Sequence, residues 1–386
     1  MAGRPVVVEA ITRLNIGGPA RHVIDVATGL ADRYAIRIAA GHAPAVEGLV
    51  ATGAVPLDHL PLVRPISPSA DLAALVGMRR LLKRHHTELV HSHMAKAGSV
   101  ARLAATTLQP RPKTVHTFHG HVLAGYFTPG VEQVITRMER QLARRTDRLV
   151  AVSADVRDAL LDLGIGKPRQ FEVIPLGVDL EPFLRVDRPS GQLRRALGLS
   201  DETALVGVVA RLAPVKDHDT LLRAMVTLAG AHLAVLGDGE LRAALGARAN
   251  ELGIANRIHF TSWWDDMPAA LADLDVVVLT SRNEGTPMAL IEAAAAGRAV
   301  VASAVGGVRA VVVDGRTGTV VPPGDPAAVA AALDGLLRNP VRCRRLGQEG
   351  RAHVRAGFGL AASLEQIASL YDELLAGRGP VSSRAE

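Results

Sequence analysis

The chain has 386 residues, 48% hydrophobic and 21% charged, proportions that exclude a disordered or fibrous protein and leave room for two globular domains. Its single cysteine, Cys343, excludes an intramolecular disulfide, and no apolar run reaches the roughly 18 to 20 residues that a membrane-spanning helix needs. The formal charge of +6 is uneven: residues 1–185 hold 23 Lys+Arg against 16 Asp+Glu, a balance of +7, and residues 186–386 hold 21 against 22, a balance of −1. Such asymmetry suggests an anionic partner for the first half, against the plainer reading of an arginine-rich solvated surface.

The chain opens with GRPVVVEAITRLNIGG, an apolar strand running into a glycine loop, unlike a signal peptide, so a cytoplasmic location is expected. Apolar segments at 6–11, 36–40, 89–91, 114–118 and 149–152 alternate with helical patterns at 20–30, 70–84 and 131–145. Strand-helix alternation predicts a parallel sheet covered on both faces. Gly17 and Gly18 lie between the first strand and the first helix, at the strand's carboxyl end, where doubly wound sheets bind ligands.

Two histidine clusters follow, VHSHMAKAG (His91, His93, Lys96, Gly98) and VHTFHGHVLAGYF (His116, His119, His121, Tyr126). In an extended backbone these His-x-His patterns are expected to project apart, which counts against zinc. Their place at strand ends suggests hydrogen-bonding or acid/base groups at an acceptor site, with His119 foremost because it enters a turn at Gly120.

A break at 187–190 separates the halves, and the same grammar restarts with strands expected at 205–210, 233–236, 258–261, 276–280 and 300–302. The expected division is an N-terminal acceptor-binding domain over 1–186, a C-terminal donor-binding domain over 187–360, and, over 361–386, an amphipathic helix packing back on the first domain with a polar tail. Both domains are expected to be α/β, doubly wound and Rossmann-like, facing each other across a cleft.

In GVVARLAPVKDHDTLLRA a strand ends in Arg211 and a loop carries Lys216, two cations suited to a pyrophosphate leaving group. In LAVLGDGELRAALG the turn Gly237–Asp238–Gly239 stands where backbone must approach a phosphate, a weak signal alone. Asp273-Leu-Asp275 matches a cation-holding Asp-x-Asp pattern but precedes its strand, the wrong end for a site, and is read as structural.

The most informative stretch is SRNEGTPMALIEAAAAG, which leaves a strand and enters an alanine-rich helix through Pro287. The amides of Gly285, Thr286 and Met288 near the helix start favour an anion or sugar oxygens, while Glu284 in the loop and Glu292 in the helix suit vicinal hydroxyls. Glu292 stands in an otherwise uncharged run, which predicts a buried carboxylate that wants a partner.

With these motifs in this order, the chain resembles the family 4 retaining glycosyltransferases of the GT-B fold, also called glycosyl transferases group 1, from Ile11 to about Leu375. The resemblance implies a metal-independent hexosyltransferase with no cofactor beyond its nucleotide-sugar, UDP-linked in the first instance. Glu284 and Glu292 are similar to the family's paired glutamates, contacting donor sugar and ribose respectively, and Arg211 and Lys216 to its pyrophosphate clamp. It further implies that Gly18 lies beside the donor phosphates, His119 near the transferred sugar and Trp263–Trp264 near the base. Leu176 departs from the pattern, since many members have Asn before Gly-Val-Asp.

The implied partners are a nucleotide-sugar donor, a glycan, lipid-linked or small-molecule acceptor, and an anionic membrane surface under the basic first half. The alternatives are a nucleotide-sugar epimerase or a polysaccharide phosphorylase of the same architecture, or a non-catalytic binding protein. Nucleic acid is not expected, because MRRLLKRHH and TRMERQLARR lack interleaved aromatics for base stacking.

Overall fold

The computed structural model describes residues 3–15, 17–42, 52–63, 65–120, 129–186 and 189–376. His121, Tyr126 and the tail from Gly377 fall outside them. The chain divides into two units, Met1–Gly177 with Leu360–Glu386, and Val178–Gly359.

The first unit holds β1 (Val6–Arg13), β2 (Ala35–Gly41), β3 (Leu57–His59), β4 (Leu89–His93), β5 (Lys113–Phe118), β6 (Arg148–Ala151) and β7 (Phe171–Val173). They pair in parallel in the order β3-β2-β1-β4-β5-β6-β7. The order reverses between β1 and β4, where the register sets Glu9 beside His91 and Ile11 beside His93. Val7 and Ile11 join the core on one face, and Val8 and Ala10 that on the other, so β1 is apolar nearly throughout.

The C-terminal helix Leu360–Ala376 belongs to this first unit. Its Ile367, Leu370, Tyr371 and Leu374 are buried in the same core as Val7 and Ile11, each side chain worth roughly 1.5–3 kcal/mol. Tyr34 donates to Asp372 Oδ1 at 2.6 Å, and Ser363 to the Pro175 carbonyl at 2.9 Å.

The second unit holds β8 (Ala204–Val209), β9 (Ala231–Leu236), β10 (Ile258–Ser262), β11 (Val276–Leu279), β12 (Ala299–Ser303) and β13 (Thr319–Val321), parallel in the order β10-β9-β8-β11-β12-β13. Its reversal lies between β8 and β11. The division comes at Gly177, ahead of the expected 186, because Val178 bridges to Gly359 and Leu180 and Phe183 enter the second unit's core.

Helix Met288–Ala295 follows β11. Pro287 caps its start, alanines favour the helical backbone, and Gly297, at φ 72°, ends it in the left-handed conformation that glycine adopts without strain.

Candidate active site

Two groups of polar side chains stand at the two strand-order reversals, one in each unit. In a doubly wound sheet the loops diverge there and leave a crevice at the strands' carboxyl ends.

In the second unit, the loops leaving β8 and β11 are stitched to each other. Thr280 Oγ1 donates to the Asp217 carbonyl at 3.0 Å, and the Arg282 amide to that of Val215 at 2.9 Å. Asp217, buried and left-handed at φ 47°, accepts from the Arg282 guanidinium at 3.0 Å and from Thr220 Oγ1 at 2.9 Å. On this frame Lys216 Nζ meets Glu284 Oε1 at 2.6 Å, and Ser281 Oγ donates to the same oxygen at 2.6 Å.

The backbone under Glu284 is fixed from a third loop. Its carbonyl accepts from the Gly307 amide at 3.2 Å, and Gly306 lies so close to that carbonyl, at φ 47°, that a Cβ would overlap it. Burial of the two glutamates is the reverse of what the sequence suggests. Glu284, in the loop, is 9% exposed, whereas Glu292 is only half-buried, because the helical period buries Ile291 and Ala293 and turns Glu292 to the rim.

Arg211 is half-exposed just past β8, clamped by its neighbours' backbone. The Leu212 amide donates to the Asp238 carbonyl at 2.9 Å, and Gly237 and Gly239 lie against the carbonyls of Ala210 and Leu212, where a Cβ on either would overlap. The glycines of this turn thus let one protein loop close on another, a demand made by the chain itself. Trp263, exposed, and Trp264, packed on the core, follow β10. Asp273 accepts from the amides of Gly191 and Leu193 at 2.7 and 2.8 Å, and Asp275 pairs with Arg194 at 3.0 Å, so both aspartates hold the entry to β8.

In the first unit a buried polar cluster forms where β1, β4 and β5 meet the C-terminal helix. Glu9 Oε2 lies 2.6 Å from His93 Nε2, and His93 Nδ1 lies 2.9 Å from His119 Nε2. Tyr371 donates to Glu9 Oε1 at 2.6 Å and lies 2.6 Å from His91 Nδ1, whose Nε2 is 2.6 Å from Thr117 Oγ1. The expectation that His91 and His93 point apart is wrong: residues two apart on a strand share a face, and their ring centroids are 4.2 Å apart. His116 points to the other face, toward Ser92 Oγ at 2.9 Å, and Lys96 pairs with Asp71 at 2.6 Å. Gly98 packs so near the His116 ring that a Cβ would overlap it. Gly17 and Gly18 lead from β1 into helix Gly18–Gly29, which carries His22 to within 5.6 Å of the His119 ring.

Ligand atoms of Glu9, His91 and His93 lie within 4.8 Å of one another, a donor set that zinc accepts. Each of their side-chain nitrogens and oxygens is already in one of the hydrogen bonds above, so an ion would have to displace Tyr371 or His119. Burial drives the His93 pKa down to about 4 and that of His22 to about 3, and holds His119 well below its usual value. Burial alone would raise the Glu9 carboxyl, yet His91 and the hydrogen bond from His93 carry it below the ordinary carboxylate range.

The family Glycosyltransferase Family 4 matches residues 16–182, and Glycosyl transferases group 1 matches residues 190–353. The D-inositol 3-phosphate glycosyltransferase of Mycobacterium ulcerans is 34% identical over 350 residues, covering 87% of this chain and 73% of that protein. This chain belongs to the family 4 glycosyltransferases. A galactosyltransferase of Escherichia coli, named for transfer from UDP-Gal to alpha-D-GlcNAc-diphosphoundecaprenol, is 27% identical over 81% of this chain and 82% of its own. Among solved structures, sucrose-phosphate synthase from Thermosynechococcus elongatus superposes with a TM-score of 0.83 at 23% identity, over 97% of this chain and 100% of its own. Anabaena HepE in complex with UDP and glucose superposes with a TM-score of 0.81 at 22% identity, over 96% and 100%. The fold is thus the two-domain GT-B fold, and the protein is a glycosyltransferase.

The sequence singles out Lys216 and Glu284 separately, in two different motifs, without anticipating that they pair, and gives Glu9, His22, Asp217, Gly306 and Tyr371 no part in a site of this glycosyltransferase. One signal was available: Glu9 is the lone charge in VVVEAIT, the same pattern of a carboxylate in an apolar run that draws attention to Glu292.

Proposed function

We propose that this glycosyltransferase takes a hexosyl group from a UDP-sugar and passes it, with retained anomeric configuration and without a metal ion, to a phosphate-bearing acceptor. The observation that carries the reading is the Lys216–Glu284 pair at the β8/β11 reversal, a cation and a carboxylate side by side at the mouth of a helix. In this reading the helix start at Met288 and the cations Arg211 and Lys216 receive the diphosphate. Glu284 and Glu292 accept hydroxyls of the sugar and the ribose, Gly285, Thr286 and Pro287 shape the approach, Gly18 is assigned to the donor phosphates and His119 to the transferred sugar.

The acceptor oxygen bonds to the anomeric carbon on the face from which the diphosphate departs. The acceptor proton passes to the departing phosphate oxygen, whose growing charge Arg211 and Lys216 offset. The acceptor class follows from the excess positive charge of the first half, and from relatives named for an inositol phosphate and a diphosphate-linked lipid.

The same half offers a membrane-facing surface. Helix Pro129–Ala143 exposes Val131, Val134 and Met138 beside Arg137 and Arg140, and Arg144, Arg148, Lys167 and Arg169 gather around a nearby depression. This arrangement suits a protein working at the cytoplasmic face of an anionic bilayer; no helix among the described residues is long and apolar enough to cross one.

Purified protein is incubated with UDP-, GDP- and ADP-sugars, without acceptor or added metal, and release of nucleotide is followed. Slow turnover of a UDP-sugar by wild type and not by Glu292→Ala is the expected result. Absence of turnover and of thermal stabilisation with every donor contradicts the reading.

A further inference from the structure

With Glu9 ionised and the buried histidines neutral, the hydrogen bonds around His119 fit one arrangement of protons. Glu9 is a carboxylate and only accepts, so His93 Nε2 carries the hydrogen that bridges the 2.6 Å to Glu9 Oε2. His93 is neutral, its pKa lowered to about 4 by burial, so its Nδ1 is bare and must accept. The partner of that nitrogen at 2.9 Å is His119 Nε2, which therefore carries the hydrogen. His119 is neutral as well, since burial holds its pKa well below the usual value, and so its Nδ1 has only a lone pair.

Tyr371 closes the network from the other side. Its single hydrogen goes to Glu9 Oε1, so the contact to His91 Nδ1 at 2.6 Å must be donated by His91, which fills the space behind Glu9 and supports it. The outward end of the chain is His119 Nδ1. It is buried, and among the described residues it finds no hydrogen-bond partner; His22 Nε2, on the neighbouring ring, is in the same condition. Buried polar atoms without a partner are rare in folded proteins and mark a place where a ligand or a water completes the set.

We infer that Glu9 and His93 are positioning residues which lock His119 in the tautomer with a bare Nδ1, so that His119 accepts a hydrogen bond from a hydroxyl and offers none to a phosphate. The inference rests on the reading that His119 lies beside the transferred sugar. It makes this corner of the first unit selective for a polyhydroxylated group, and it assigns to a carboxylate two residues removed the task of fixing which way the functional histidine faces. The logic is that of a buried acid orienting an imidazole, with a second imidazole inserted between them.

The test has two arms. The first is two-bond 1H–15N correlation on protein labelled with 15N-histidine. Wild type is expected to show His93 and His119 protonated at Nε2 and bare at Nδ1, and His91 protonated at Nδ1. The second is Glu9→Gln, whose neutral amide no longer fixes the direction of the chain. His119 is then expected to populate both tautomers, and kcat to fall roughly 10- to 100-fold, by analogy with loss of the outer partner that orients a metal-ligating histidine, with donor KM changed far less.

A wild-type His119 protonated at Nδ1 overturns the inference, whatever the variant does. So does a Glu9→Gln protein with unchanged tautomer and unchanged kcat, and so does one equivalent of zinc copurifying with the chain. Wild-type tautomers as described, in a protein that turns over no nucleotide-sugar, support the proton arrangement and overturn the donor reading instead.

Discussion

Each unit places a carboxylate at its strand-order reversal, Glu9 within β1 beside β4 and Glu284 in the loop leaving β11, and the two are treated differently. Glu9 is fully buried, held on both oxygens by side chains from β4 and the C-terminal helix, and backed by histidines that burial keeps neutral. Glu284 stands on a loop, takes a lysine and a serine on one oxygen, and owes its position to the Gly307 amide on its carbonyl and the close packing of Gly306. A strand fixes a side chain by packing; a loop must be fixed by its own backbone. The first unit therefore carries a preformed network buried within it, a carboxylate among neutral imidazoles, and the second a charged pair on a loop braced by its own backbone.

The sharpest way to break this contrast is to remove the lysine. On the proposed mechanism Lys216→Ala takes away a positive charge that offsets the leaving group, and kcat is expected to fall about 10²–10³-fold. A rate within about twofold of wild type would remove the charged pair from the mechanism.

Next in size is Gly306→Ala. The added methyl meets the Glu284 carbonyl and the residue must hold φ 47°, so a backbone strain of about 1–3 kcal/mol is expected. Loosening of the Glu284 loop should weaken UDP-sugar binding by roughly tenfold, about 1.4 kcal/mol; unchanged binding by calorimetry would show that the loop needs no such support.

Acid should separate the units. His22 and His93 titrate near 6.5 when unfolded and near 3 and 4 when folded, so the unfolded chain takes up protons first as pH falls. Stability of the first unit is expected to be lost from about pH 6.5 downward, and Glu9, held below its ordinary 4.5, extends the loss at lower pH. His119, on the same cluster and held by burial well below its usual value, adds to the loss in the same direction. Scanning calorimetry between pH 7 and pH 5 should show the first unit's transition fall by on the order of 5 °C; identical transitions at both values would contradict the buried neutral network.

The smallest effect expected is on membrane contact. Val134→Asp should reduce binding to anionic vesicles a few-fold while leaving turnover of a water-soluble acceptor unchanged, and equal vesicle binding would remove this helix from the contact.

Much of this was legible in the sequence where the physics is local. The expected strands over 6–11, 205–210 and 276–280 appear as β1, β8 and β11 because continuous apolar runs have no other use in a sheet covered on both faces. β3, β7 and β13 give no such signal: each is three residues long, at a sheet edge, and its apolar content is too small to read. The two loops carrying Lys216 and Glu284 could be read because glycine, proline and charge cluster there. The network around Glu9 could not, because its members come from β1, β4, the end of β5 and the C-terminal helix, whose Tyr371 is 362 residues from Glu9 in the chain. Only the fold brings such separations together, and the misjudged face of His91 and His93 hid even the local part.

The central proposal, that the loops of the second unit hold the nucleotide-sugar, is tested most directly by calorimetric titration of UDP into wild type, Glu292→Ala and Glu9→Gln. The account predicts UDP binding abolished or weakened at least tenfold in Glu292→Ala and preserved in Glu9→Gln. Wild-type affinity in Glu292→Ala, or equal loss in both variants, would contradict it.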